Sequence, residues 1–137
     1  MADPMADIEA IKQLKAQYFR VLDTKDWSAL RQLFTDDVVV DTSASPGGCV
    51  VAGADEYMVF LVGVIGDVTT VHHGHMPEIE LTSPASAKGI WAMEDMLRWP
   101  DGRRMHGYGH YHETYERVRD AWRIKTLTLT RLRVDWA

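Results

Sequence analysis

Two residues able to do acid–base chemistry stand out by their settings. Asp23 closes a helical stretch where the chain turns, and His72 lies early in the run Thr69-Thr-Val-His-His-Gly-His-Met-Pro77. A carboxylate hydrogen-bonded to an imidazole fixes its tautomer, stabilises the imidazolium and makes the histidine a better base near neutral pH. Their wide separation along the chain sets no distance between them. Taken by type alone, Asp23 serves equally as a turn cap and His72 as an ordinary strand histidine.

All six histidines, at 72, 73, 75, 106, 110 and 112, fall on two strand-like runs. His73/His75 and His110/His112 are each two apart, so each pair projects from one face of its strand, a geometry in which two imidazoles grip one metal ion. Nothing in the spacing fixes the remaining ligands, although Glu78, Glu80 or Glu113 could add an oxygen, and an alternating polar face of a strand has the same pattern. No metal site is expected. Covalent and nucleotide chemistry lack their motifs: Gly47-Gly48 is not followed by Lys-Ser/Thr, and Cys49 has no activating neighbours.

The elements that must position these groups are legible from periodicity. Ile8, Ile11, Leu14, Tyr18 and Leu22 form one stripe of a helix over residues 7–23, and Asp26 caps a second short helix carrying Trp27, Leu30, Leu33 and Phe34. Residues 38–41 read as a strand, 43–48 as a loop, and 55–65 as a third helix, apolar on most sides and expected to be buried against a sheet. Four long runs follow at 69–81, 87–99, 105–117 and 122–134, with turns at Ser83-Pro84-Ala85, Pro100-Asp101-Gly102 and Arg119-Asp120. Those spacings suit antiparallel hairpins. Helices followed by long antiparallel strands define an α+β fold. Strands this long must curve, and Gly74, Pro77, Gly107 and Gly109 are the places where bulges could bend them around a pocket. The aromatic residues, spread over every element, supply core and pocket wall.

The chain has 137 residues, 46% of them hydrophobic, which suits one compact domain over residues 1–137, with residues 1–6 expected as a flexible tail. Its formal charge of -5 gives no electrostatic case for nucleic acid; the local excess at Arg98, Arg103 and Arg104 is broken by Trp99, Pro100 and Asp101. One cysteine excludes an internal disulfide framework. The start lacks the pattern of a secretion signal, and the longest apolar stretch, residues 58–65, is too short to span a bilayer. A soluble, cytoplasmic protein is the expectation.

Four segments in order, Leu22-Asp-Thr-Lys-Asp-Trp27, Thr70-Val-His-His-Gly74, Tyr115-Glu-Arg-Val-Arg-Asp-Ala-Trp122 and Leu132-Arg-Val-Asp-Trp136, resemble scytalone dehydratase and its relatives. These form the SnoaL-like branch of the nuclear-transport-factor-2-like superfamily, which includes lindane dehydrochlorinase. The resemblance runs from about Ile8 to Trp136. It implies a curved, cone-like α+β barrel with a deep apolar pocket, assembled as a homo-oligomer, trimer or dimer. It also implies elimination chemistry on a small molecule without metal or organic cofactor, and places the family's catalytic Asp–His dyad on Asp23 and His72.

The departures from that pattern reshape the expected pocket. The positions of the dehydratase's two tyrosines fall on Leu22 and Thr42, that of its second catalytic histidine on Trp91, and those of its pocket serine and asparagine on Gly109 and Tyr111. Tyr18 joins these as a pocket aromatic. The resemblance therefore points away from scytalone itself and toward a more apolar site, closer to the dehydrochlorinase. If Gly109 and Tyr111 face inward, a period of two turns His106, Tyr108, His110 and His112 outward. The expected activity is that of a lyase whose His72 removes a proton from a small cyclic or aromatic substrate. Alternatives on the same scaffold are an isomerase or polyketide-type cyclase and a non-catalytic binding module.

Overall fold

The computed structural model describes residues 3–137. Helix α1 (Pro4–Asp23) begins earlier than the apolar stripe predicts, because the Asp3 carboxylate accepts hydrogen bonds from the N–H groups of Met5 and Ala6, at 3.0 and 3.3 Å. Pro4 takes the first turn, where a missing N–H is harmless. Residues 4–6, expected in a tail, therefore belong to the helix. At the other end the Lys25 N–H returns to the Leu22 carbonyl and the Asp26 N–H to that of Val21. This paired closure puts Lys25 in the left-handed region, φ 61°, a place that favours glycine.

Helix α2 (Trp27–Arg31), capped by the Asp26 side chain on the Ala29 N–H, is shorter than expected. Leu33 and Phe34 leave it because the Leu33 carbonyl accepts from the Ile124 N–H at 2.8 Å, which draws the chain into strand β1 (Phe34–Asp41). Then come β2 (Val50–Ala52), α3 (Ala54–Ile65), β3 (Thr69–Ser83), β4 (Ser86–Arg98), β5 (Arg104–Val118) and β6 (Ala121–Trp136). The six strands make one curved, unclosed sheet in the order β2-β1-β6-β5-β4-β3, antiparallel throughout except that β1 runs parallel to β6.

The inner face of the sheet and the helices enclose the core, which includes Ile11, Leu14, Leu30, Phe34, Val38, Tyr115, Ile124 and Leu127. Helix α3 buries Ala54, Tyr57, Leu61 and Ile65 but leaves Val59 76% and Val62 48% exposed, so it is one-sided rather than buried all round. One of the four expected positions is itself a bulge: Met76 and Pro77 both lie opposite Trp91. At Gly109 the register does shift, but the extra residue is Leu132 of the facing strand β6. Gly74 and Gly107 pair in regular register instead and serve close approach. A Cβ on Gly74 would sit 2.6 Å from the Phe19 ring of α1.

The closed part of the cone holds an ion pair. Lys15 donates to Glu113 Oε2 at 2.6 Å with both side chains fully buried. Tyr115 donates to Glu113 Oε1 at 2.5 Å, and the Trp91 indole N–H donates to the Tyr115 hydroxyl at 2.9 Å. The Lys15 ammonium also lies over the rings of Tyr18 and Tyr111, 3.7 and 4.2 Å from their centroids. Burial pulls the Lys15 ammonium below its ordinary value, and the Glu113 carboxylate pushes it part of the way back.

Candidate active site

The bend at the end of α1 brings Asp23 against the first residues of β3. His72 Nδ1 lies 2.7 Å from Asp23 Oδ1, and the His72 backbone N–H donates to Oδ2 at 2.8 Å. The Thr70 hydroxyl donates to Oδ1 at 2.9 Å and itself receives a bond from Lys25 Nζ at 2.6 Å. A carboxylate surrounded by three donors accepts from all of them, so Nδ1 carries a ring proton and, in the neutral ring, the lone pair is on Nε2. The two side chains are mostly shielded, 11% exposed for His72 and 21% for Asp23.

His72 lines a half-open cavity of about 110 Å³ with Tyr18, Leu22, Thr42, Tyr57, Tyr111 and Arg131 among its walls. The loop residues Ser45–Gly48, Phe60 and Val64 of α3, and Trp99 complete its lining. Of the residues expected around the pocket, Tyr18, Leu22, Thr42 and Tyr111 are there. Trp91 and Gly109 are not. Trp91 points inward but is held deeper, on Tyr115, and Gly109 sits opposite the β6 bulge at Leu132, where a Cβ would run into the Thr130 carbonyl of β6.

Two polar groups of this region were not singled out from sequence. Arg131 of β6 makes a two-pronged pair with Asp95 of β4, at 2.7 and 2.9 Å, and its Nε donates to the Ser45 hydroxyl at 2.9 Å. Asp95 Oδ2 is 3.9 Å from His72 Nε2, too far for a hydrogen bond but close for a charge. Parity held the signal: Asp95 continues the inward set of Trp91 and Met93, and Arg131 that of Leu127 and Leu129, so each is a charge on an apolar face. Burial pushes the hydroxyls of Tyr18, Tyr57 and Tyr111 above the usual phenol range, with neighbouring carboxylates adding to the shift of all three, so they remain protonated donors.

The other five histidines do not reach this cavity. His110 and His112 lie on the outer face with Tyr108, and His106 bonds Glu94 there at 2.6 Å. Among the described residues no three His, Cys, Asp or Glu side chains converge as a metal would require. No described helix is long and apolar enough to cross a membrane.

Comparison with known proteins agrees with this architecture. The model of the SnoaL-like domain matches residues 3–128. A probable cyclase from Gibberella zeae is 26% identical over 142 aligned residues, covering 89% of each chain. A putative scytalone dehydratase from Novosphingobium aromaticivorans superposes with a TM-score of 0.87 at 25% identity, covering 96% of this chain and 87% of that one. A type 2 hexachlorocyclohexane dehydrochlorinase, LinA, superposes with a TM-score of 0.86 at 18% identity, covering 97% and 90%, a likeness of fold. With a curved, unclosed nuclear-transport-factor-2-like sheet and a family match over most of its length, the chain belongs to the SnoaL-like family.

Proposed function

We propose that the protein is a lyase that needs no cofactor for its proton transfer, with His72 as general base and Asp23 as its orienting partner. The reading rests on one observation: the Nδ1 side of His72 is committed to a carboxylate while the ring lines a half-open, mostly apolar cavity. Nε2 takes a proton from a carbon made acidic by a neighbouring carbonyl or other electron-withdrawing group. The C–H electron pair forms the new double bond as water or another leaving group departs from the adjacent carbon with its own pair. Arg131 and the tyrosine hydroxyls supply donors for the oxygen or leaving group on which charge builds.

Size narrows the substrate. A cavity of ~150 Å³ takes up benzene, so about 110 Å³ of interior accepts less than one ring. A small cyclic substrate therefore extends from His72 past the open side of the cavity. A panel of monocyclic β-hydroxyketones and chlorinated cyclic compounds, assayed by mass spectrometry, tests the reading. Loss of water or hydrogen chloride supports it. Products of unchanged mass point to the second reading, an isomerase or cyclase, which the relationship to the probable cyclase favours. No turnover and no exchange of an acidic C–H with solvent deuterium would leave a binding module. The trimer or dimer implied by family resemblance is likewise a proposal, decided by mass in solution.

Gly107 gives a further handle on the site. A Cβ there would overlap both Arg131 Nη1 and Asp95 Oδ1. Because those atoms end flexible side chains, Gly107→Ala is expected to dislodge the pair without unfolding the sheet. Loss of one oriented donor costs roughly 10²-fold in rate. A drop of that order in kcat, with a melting temperature lower by a few degrees because the pair is largely buried but keeps both members, is the expected result.

A further inference from the structure

His72 stands between two carboxylates, Asp23 on its Nδ1 side and Asp95 beyond Nε2. Two negative charges around an imidazole favour its doubly protonated form, which has no lone pair and is useless as a base. Each carboxylate is matched by a cation. Arg131 grips Asp95 directly. Asp23 meets Lys25 through the Thr70 hydroxyl, which accepts from Nζ and passes its own proton toward Oδ1. The tyrosine hydroxyls of the cavity stay protonated, so the charges that meet His72 through ion pairs and hydrogen bonds are Asp23, Asp95, Arg131 and Lys25.

The backbone makes the presence of this lysine harder to explain by folding alone. Lys25 occupies the left-handed position that ends α1, where a glycine would be relaxed, and its ammonium is partly withdrawn from water. We propose that Lys25, acting through Thr70, is a positioning residue that supplies the counter-charge keeping the Nε2 lone pair of His72 free near neutral pH. This rests on the reading of His72 as the base.

The test compares Lys25→Gly and Lys25→Gln with the wild type. Ring C–H resonances of His72, assigned by their absence in His72→Ala, are followed against pH by NMR without substrate. Removing a partly screened charge at this range is expected to move the protonation of His72 to higher pH by about half to one pH unit in both variants. Lys25→Gly should fold at least as well as the wild type, since glycine relieves the left-handed turn. Turnover of a substrate found by the panel should fall about threefold to tenfold at pH 6 and recover above pH 8. A His72 titration in Lys25→Gly identical to wild type overturns the proposal. So does a Lys25→Gln protein that titrates as wild type, since Gln keeps a donor for Thr70 but no charge. The two readings fail separately: full activity in His72→Ala removes the base, whereas the titration reports on Lys25 whatever the protein turns over.

Discussion

Replacing His72 by alanine is expected to lower turnover by about 10²–10⁴-fold, the usual contribution of a positioned general base. Melting temperature should hardly change, because Asp23 keeps the Thr70 hydroxyl and the backbone N–H of residue 72 as donors when the imidazole is gone. Asp23→Asn is the sharper companion. The carboxamide can present its NH₂ to Nδ1, which then becomes an acceptor and moves the ring proton to Nε2, the atom that must take a proton from substrate. A protein with the base intact but its lone pair misplaced should lose nearly as much activity as one without the ring. Steady-state rates on any substrate from the panel, beside thermal melts, check both. Full activity in either variant would remove the pair from the mechanism.

The largest effect on stability is expected at Lys15→Met. Truncating one member of a fully buried ion pair leaves the other charge without compensation, a loss of about 3–5 kcal/mol. For a domain of this size that corresponds to a melting temperature lower by roughly 10–20 °C. The double variant Lys15→Met/Glu113→Gln should regain most of it, because Gln still accepts from the Tyr115 hydroxyl and no charge remains buried. Chemical denaturation of the three proteins decides. If the single variant is as stable as wild type, the pair contributes nothing. The effect should reach the cavity as well, since Tyr18 and Tyr111 stack against the Lys15 ammonium and also wall the site.

Periodicity and turn residues carried much of the architecture, and where they failed the causes are physical. Local signals sufficed for β3 to β6, whose hairpin partners are neighbours in sequence. They could not foresee β2, three residues long, nor the parallel pairing of β1 with β6, which no turn encodes. Leu33 and Phe34 fit the apolar spacing of a helix, yet a hydrogen bond from Ile124, distant in the chain, decided their conformation. At the site, residue types made Asp23 and His72 candidates, and only family resemblance paired them. Lys15 gives no signal of burial by residue type, since a lysine on a helix reads as solvated, although it shares the face of Ile11 and Tyr18. Asp95, Glu113 and Arg131 each interrupt an inward apolar set, a sign of buried charge available from parity alone.

The bulge at Met76–Pro77 divides β3 into two stretches with independent registers, residues 69–75 against 92–98 and residues 78–81 against 87–90. Side chains alternate, so a one-residue slip of the first stretch against β4 would exchange His72 with a neighbour aimed at solvent. A change beyond the bulge is absorbed there and leaves the imidazole in place. The hairpin tip around Pro84 is thus free to drift in length and composition through evolution or engineering, while the pairing of residues 69–75 with β4 is not.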